Sequence, residues 1–272
     1  MKPLKLTIVS LLASTLFILG GGFPHMVHAE WFIAAYGGLS SIGNFENVEL
    51  PILGESIADA DADLFNPNDG SNFRRTVNLK AEDIQLEDSL MFGARAGHFF
   101  NEFGFPWFGI EIEAFSLEPN AKDQPLDLTL EATRFNPSVL NPPPGGADPV
   151  GGADVPFTKF PQQNLSKSSL RVTTLAINIL ARYPGEIFQP YIGAGLGGFW
   201  FKGEGELEGS RIVPGLNALA GLKVQLTEHW GIFGEAKYNR ATVEGLGPTL
   251  GLQGDFSIFH WLGGITFTFE SL

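Results

Sequence analysis

The stretch Trp107-Phe108-Gly109-Ile110-Glu111-Ile112-Glu113-Ala114-Phe115-Ser116 decides the fold. Successive side chains of an extended strand point to opposite faces. Phe108, Ile110, Ile112 and Ala114 therefore share one face, and Gly109, Glu111, Glu113 and Phe115 the other. Three further stretches repeat the division. Leu90, Phe92, Ala94 and Ala96 oppose Met91, Gly93, Arg95 and Gly97. Leu216, Ala218, Ala220, Leu222 and Val224 oppose Asn217, Leu219, Gly221, Lys223 and Gln225. Ile232, Gly234, Ala236 and Tyr238 oppose Phe233, Glu235, Lys237 and Asn239. One face is smooth and apolar, and all six charges fall on the other. A transmembrane β-barrel needs that division, with lipid outside and a polar interior.

The N-terminal residues indicate where such a barrel would reside. Lys2 and Lys5 precede an apolar run over 6–19, and Val27-His28-Ala29 fits a small-residue cleavage site. This pattern is that of a secretory signal peptide, expected over 1–29, with the barrel domain over 30–272. The run is short for a span of about 20 residues. The formal charge of −13 becomes −15 on removal of Lys2 and Lys5, since 1–29 holds no acid. Such acidity argues against nucleic acid as a partner, because phosphate binding needs Lys and Arg density. With no cysteine in the chain, disulfides, thiol catalysis, Cys-based metal sites and lipid attachment through Cys are excluded.

Eight strands are expected, at 31–40, 89–99, 107–117, 169–182, 190–202, 215–226, 230–242 and 255–269. Most reach the roughly 9–11 residues that a tilted membrane strand requires. The lipid side of the first is ambiguous, since Trp31, Ile33, Ala35 and Leu39 alternate with Phe32, Ala34 and Tyr36. The connections alternate in length: 41–88 and 118–168 are long, whereas 101–106, 183–189 and 227–229 are short. Short periplasmic turns and longer external loops give this alternation, which puts both termini in the periplasm. The first long loop is acidic. The second is Pro/Gly-rich and repeats Gly-Gly-Ala-Asp at 145–148 and 151–154. Residues 77–88 are a candidate extension of the second strand above the membrane.

Pro190-Tyr191-Ile192-Gly193-Ala194-Gly195-Leu196-Gly197 and Trp230-Gly231-Ile232-Phe233-Gly234-Glu235-Ala236-Lys237-Tyr238 resemble the fifth and seventh strands of small outer-membrane β-barrel proteins. Gly264-Ile265-Thr266-Phe267-Thr268-Phe269 is similar to the terminal signal read by the barrel assembly machinery. The resemblance is to the opacity-protein and outer-membrane-protein-A transmembrane-domain type, and it covers the chain from residue 30 onward. It implies outer-membrane lipid and the assembly machinery as partners, with Gly264, Phe267 and Phe269 as the assembly signal. It further implies a structural or surface-interaction role, in adhesion or envelope integrity, with a possible external ligand of the long loops. The chain departs from the pattern in carrying Glu270-Ser271-Leu272 after the last aromatic residue.

Other motifs are weaker. Gly193-x-Gly195-x-x-Gly198 has dinucleotide-fingerprint spacing, but Phe199, Trp200 and Phe201 continue a strand where a helix should open. The glycines read instead as lumenal, leaving room for larger side chains opposite, and no cofactor is expected. Asp59, Asp61 and Asp63 open like a calcium loop, yet Leu64 and Gly70 stand where that loop needs Gly and a bidentate Glu. They are a weak metal candidate beside the plainer reading of a solvated acidic loop. Of the histidines after residue 29, His98 and His229 sit at turns, and His260 opposes Ser257 by parity. A lipid-modifying hydrolase would need His beside Ser and an acid, so no catalytic residue is expected. Trp31, Trp107, Trp200, Trp230 and Trp261 lie near strand ends, as interfacial girdles do.

The expectation is an all-β, eight-stranded antiparallel transmembrane barrel with two long external loops. An eight-stranded interior is just wide enough to be filled by side chains. Arg95 and Glu111 lie at similar distances from their shared turn, as do Lys223 and Glu235. Arg95, Glu111, Glu113, Lys223, Glu235 and Lys237 are therefore expected to form a charge-balanced lumenal ion-pair network. A narrow, low-conductance porin-like channel is the alternative. A secreted soluble barrel would show the same alternation with its faces exchanged.

Overall fold

The computed structural model describes residues 30–60, 74–135 and 155–270. The expected signal peptide over 1–29 lies outside them, as do the Gly-Gly-Ala-Asp repeats. In chain order the elements are β1 (Glu30–Glu49), α1 (Pro51–Ala60), β2 (Arg74–Ala81), β3 (Ile84–Gln85), β4 (Ser89–Phe100), β5 (Phe105–Leu117), β6 (Gln124–Phe135), β7 (Val155–Lys159), β8 (Gln162–Leu165), β9 (Leu170–Arg182), β10 (Phe188–Gly203), β11 (Gly209–Gln225), β12 (Trp230–Leu246) and β13 (Leu252–Glu270). Eight of these strands form a ring in the order β13-β12-β11-β10-β9-β5-β4-β1. β1 closes the ring on β13, antiparallel, from Glu30 opposite Glu270 to Glu49 opposite Gln253. Closure leaves no free edge in the wall. All eight expected strands are present.

The alternation resolves as lipid-type outside and polar inside. Leu175, Ile177 and Ile179 of β9 and Ile192, Leu196 and Trp200 of β10 are exposed on the outer surface. Asn178, Glu111, Glu113, Glu235 and Lys237 are buried within. The ambiguous first strand falls into line: Phe32, Ala34 and Tyr36 point inward, and Trp31, Ile33 and Leu39 outward. This polarity sets the chain apart from a soluble barrel, whose apolar side chains would fill the interior.

Flat contact between inward aromatics and glycines seals the wall. Tyr36 stands opposite Gly93 on one side and Gly264 on the other. A Cβ on Gly93 would fall 2.4 Å from the Tyr36 ring, and one on Gly264 would fall 2.7 Å from Tyr36 Cβ. Phe32 lies over Gly97 and Phe199 over Gly215 in the same way. Bulky aromatics thus fit inside a narrow barrel because the neighbouring strand offers no side chain.

The two long connections are built differently from the open loops expected. The first contains the upper part of β1, then α1, β2 and β3; the second contains β6, β7 and β8. Residues 77–88 continue the line of β4 with two breaks: Gln85 and Ile84 pair with Asn44 and Phe45, and Ala81 and Lys80 with Val48 and Glu49, in the register that sets Ser89 opposite Ser40. β2 also pairs along its length with β6, so the extension carries an outer sheet. The breaks lie opposite irregular stretches of β1, whose register against β13 slips between Ser41 and Asn44 and again between Glu46 and Glu49. Ile42 and Asn47 hold positive φ at those slips. Such bulges bend a strand and increase its twist, which turns the top of β1 towards β2. α1 is tied down by backbone bonds on either side of its start, Leu50 N to Leu79 O at 2.8 Å and Leu53 N to Leu250 O at 3.4 Å. Below it Phe45, Phe199, Phe201 and Phe256 form an apolar core with Leu79, Leu130 and Leu252. This end of the barrel is corked with hydrocarbon, and the opposite end carries the short turns 101–104, 183–187 and 226–229.

Gly93→Val is expected to push the Tyr36 ring off its seat. It should lower stability by about 1–3 kcal/mol, the usual cost of overpacking, as a lower midpoint in urea unfolding of the refolded protein. An unchanged midpoint would contradict the aromatic–glycine packing.

Candidate functional site

The chemistry of the chain is concentrated in the lumen, below the apolar cork. β4, β5 and β12 aim Arg95, Glu111, Glu113, Glu235 and Lys237 into one cluster, because each lies on the inward parity of its strand. Arg95 Nη1 meets Glu235 Oε2 at 2.7 Å, and its Nε lies 3.4 Å from Glu111 Oε2. Its guanidinium rests 4.1 Å from the Phe233 ring centroid, which covers one face of the cation. Lys237 pairs with Glu113 and lies 3.4 Å from Glu235 Oε1. The side chains of Lys237, Glu113 and Glu235 are 0% exposed. Tyr36 donates to Glu113, and Tyr191 donates to Glu235 Oε2 at 2.7 Å.

Amides extend the cluster across the barrel. Asn178 Nδ2 donates to Glu111 Oε1 at 2.9 Å, and Asn217 Nδ2 donates to Asn178 Oδ1 at 2.9 Å and Glu113 Oε2 at 3.2 Å. Asn239 Nδ2 donates to Asn217 Oδ1 at 3.1 Å, and its Oδ1 lies 2.7 Å from His260 Nε2. Ser40 Oγ lies 2.7 Å from His260 Nδ1. Asn239 Oδ1 can only accept, so Nε2 carries the hydrogen and Ser40 donates to Nδ1. The line resembles a nucleophile–base–orienter arrangement, but Ser40, His260 and Asn239 are all fully buried. Ser257 faces away and donates to Asn44 Oδ1 at 2.7 Å.

Lys223 does not join the central cluster, and the expected Lys223–Glu235 pair is absent. Register sets Lys223 opposite Phe233 and Gln189, and Glu235 opposite Gly221. Lys223 instead sits at the turn end, 3.7 Å from Glu30 Oε1, and donates to Thr268 Oγ1 at 3.0 Å. There Arg182 clasps Glu30 with both Nη atoms, donates from Nε to Pro106 O at 3.0 Å, and stacks 3.6 Å from the Phe99 centroid. The charges divide accordingly. The centre holds two cations, Arg95 and Lys237, against three carboxylates, and the mouth holds two cations, Arg182 and Lys223, against Glu30. Only the two clusters together are neutral. The sequence reading missed Glu30 and Arg182 because both lie at strand ends. Parity carried from Asn178 and Leu180 to Arg182 would have found the second.

The other candidates are dispersed. Gly264 is at the β1–β13 seam, whereas Phe267 and Phe269 stack with each other at 6.2 Å on the outer face of β13. Gly193, Gly195 and Gly197 face the lumen as expected; a Cβ on Gly195 would fall 2.1 Å from Asn178 Oδ1. Asp59 lies in the last turn of α1, and Asp61 and Asp63 lie outside the described residues. Among the described residues no group of His, Asp or Glu could hold a metal ion. Outside the barrel wall, Lys167 donates to Glu87 Oε1 at 2.7 Å and so holds that carboxyl below its usual range. The five tryptophans are all exposed, 44–59%.

The class these features define is a closed eight-stranded antiparallel β-barrel with an apolar exterior and a charged, filled interior. No protein-family model and no curated protein matches the sequence. Among solved structures, Neisserial surface protein A is 8% identical over 89% of this chain and 99% of its own, with a TM-score of 0.44. The outer membrane protein OprG from Pseudomonas aeruginosa is 12% identical over 90% and 97%, TM-score 0.40. Ail, the attachment invasion locus protein of Yersinia pestis, in complex with the heparin analogue sucrose octasulfate, is 12% identical over 90% and 100%, TM-score 0.37. At this level of likeness the fold assignment rests on the closure of β1 onto β13.

Removing one member of a buried ion pair strands the other, at about 3–5 kcal/mol. Lys237→Met is expected to cost that much in urea unfolding, and Lys237→Met with Glu113→Gln to recover most of it. The Glu235→Gln and Lys223→Met pair is expected to be additive. Coupling in the second pair but not the first would overturn the observed pairing.

Proposed function

We propose that this chain is an outer-membrane β-barrel of structural or surface-interaction type, with both termini in the periplasm and no catalytic role. The observation that carries the reading is the polarity of the wall: large apolar side chains outside, and interior charges that balance within the barrel. Such an exterior suits lipid, where an Arg or Lys near midplane costs about 2–4 kcal/mol. The short turns at the Glu30 end suit a periplasmic face, and the β2–β6 sheet above the other end suits the cell surface. Assembly through the terminal strand, with Gly264, Phe267 and Phe269 as its signal, belongs to the same reading.

The porin-like alternative is disfavoured because Lys237, Glu113 and His260 fill the lumen and the phenylalanine cork lies above them. The lipid-enzyme alternative is disfavoured because Ser40 and His260 are sealed from any lipid. The structured outer segments remain as the part able to meet an external partner.

Cell fractionation is expected to place the protein with outer-membrane markers, and the unboiled form should migrate apart from the boiled form on a denaturing gel. Protease added to intact cells should cut within 41–88 or 118–168 while the barrel strands survive, and planar bilayers should show no steady conductance. Recovery as a soluble periplasmic protein would overturn the membrane reading. Cleavage only after the outer membrane is breached would reverse the topology, and a reproducible single-channel current would favour the porin.

A further inference from the structure

β10 keeps its ladder with both neighbours to the top of the wall, Gly203 standing opposite Leu170 on one side and Gly209 on the other. The next pair of strands does not. The β11–β12 ladder ends at Gly215 opposite Ala241. Above that level β11 continues to Gly209 along β10, and β12 continues to Leu246 along β13. The first position of β11 beyond the ladder is Pro214, which has no N–H to donate. On β12 the register against β13 slips between Glu244 and Leu246, where Gly245 holds φ +75°. The two sides meet again higher up, where Gly247 N donates to Glu208 O at 3.2 Å. Between these points the wall has a seam, with 210–214 on one side and 242–246 on the other.

One side chain spans the seam. Arg211 Nε crosses from β11 to donate to Glu244 O at 3.1 Å, and Nη1 donates to Ser210 O of its own strand at 3.0 Å. Outside, the seam meets the apolar surface: Ile212 is 74% exposed and stands opposite Trp200. Inside lies the cork. Val243 and Leu246 are fully buried in the same apolar core as Phe199 and Phe201, and Val213 packs against it. A parted ladder is costly in hydrocarbon, where backbone polar groups find no water. This one separates an apolar exterior from an apolar interior.

We propose that the β11–β12 seam is a lateral gate, with Arg211 as its latch, that admits an alkyl chain of an outer-leaflet lipid to the phenylalanine cork. The proposal rests on the outer-membrane reading above. An alkyl chain is the occupant because the path is apolar at both ends, and the lumenal charges lie below the cork. Opening breaks the Arg211–Glu244 bond and leaves the guanidinium at the exposed edge of β11, so no charge has to enter the barrel.

The chain has no cysteine, so Val243→Cys supplies a single thiol on the cork side of the seam. Val172→Cys is the matched control. Val172 is equally buried in the same core, but its strand is paired on both sides, with Phe201 and Leu117 opposite it. Each variant is refolded into vesicles, and the migration of unboiled samples reports folding. A chain that does not insert fails both readings, whereas one that inserts and folds isolates the gate. The probes are an alkyl maleimide dissolved in the bilayer and a charged, water-soluble maleimide. A buried thiol reacts through local opening, so Val243→Cys should take up the alkyl reagent about tenfold faster than Val172→Cys. It should also react with the alkyl reagent faster than with the charged one. Adding Arg211→Ala should speed Val243→Cys further and leave Val172→Cys unchanged. Equal rates at the two cysteines, labelling led by the charged reagent, no labelling of Val243→Cys, or a rate indifferent to Arg211→Ala would overturn the gate.

Discussion

Everything inside the barrel depends on one constraint: a charge placed in the lumen must meet its opposite there. The Glu113–Lys237 pair, fully buried and supported by Tyr36 and Asn217, is its centre. An unpaired charge in that position would cost several kcal/mol, so the other lumenal groups arrange around it. Glu235 is shared between Arg95 and Lys237. The excess carboxylate of the centre is matched in number by the excess cation of the mouth, so the lumenal charges sum to zero.

Above those charges the same wall encloses hydrocarbon. Phe45, Phe201 and Phe256 fill the upper barrel, and α1 with the β2–β6 sheet sits over them. The interior is therefore layered, with a polar mouth, a charged centre with its amide line to His260, and an apolar cork. Gly93, Gly97, Gly215 and Gly264 make the layering fit, since each leaves space for an aromatic ring on the adjacent strand.

The barrel itself was legible in the sequence because period-two alternation is a local signal. Glu111 and Glu113 between Ile110, Ile112 and Ala114 state both the strand and its faces. Strand number followed from turns and span lengths. Pairing across the lumen was not legible in the same way, because it depends on register, and a step of one or two residues changes the partner. Lys223 and Glu235 look level when counted from their turn, yet Gly221 stands opposite Glu235. The continuation of β4 over 77–88 was legible, but the β2–β6 sheet that it carries was hidden for another reason. The bends at Ile42 and Asn47 redirect β1, and no apolar period announces a bulge. The amide line of Asn178, Asn217 and Asn239 was present in the parity of three strands but carries no charge to draw notice.

The central claim is that the apolar face of the wall meets hydrocarbon. Trp31, Trp200, Trp230 and Trp261 report on it directly, being exposed on the barrel exterior, whereas Trp107, on the parity of Glu111, is exposed at the turn end. The decisive measurement is tryptophan fluorescence of the protein refolded into vesicles whose acyl chains carry bromine, compared with unbrominated vesicles and with iodide added to the water. The account requires strong quenching by the brominated chains and little by iodide. Strong quenching by iodide with none from the brominated chains would contradict it.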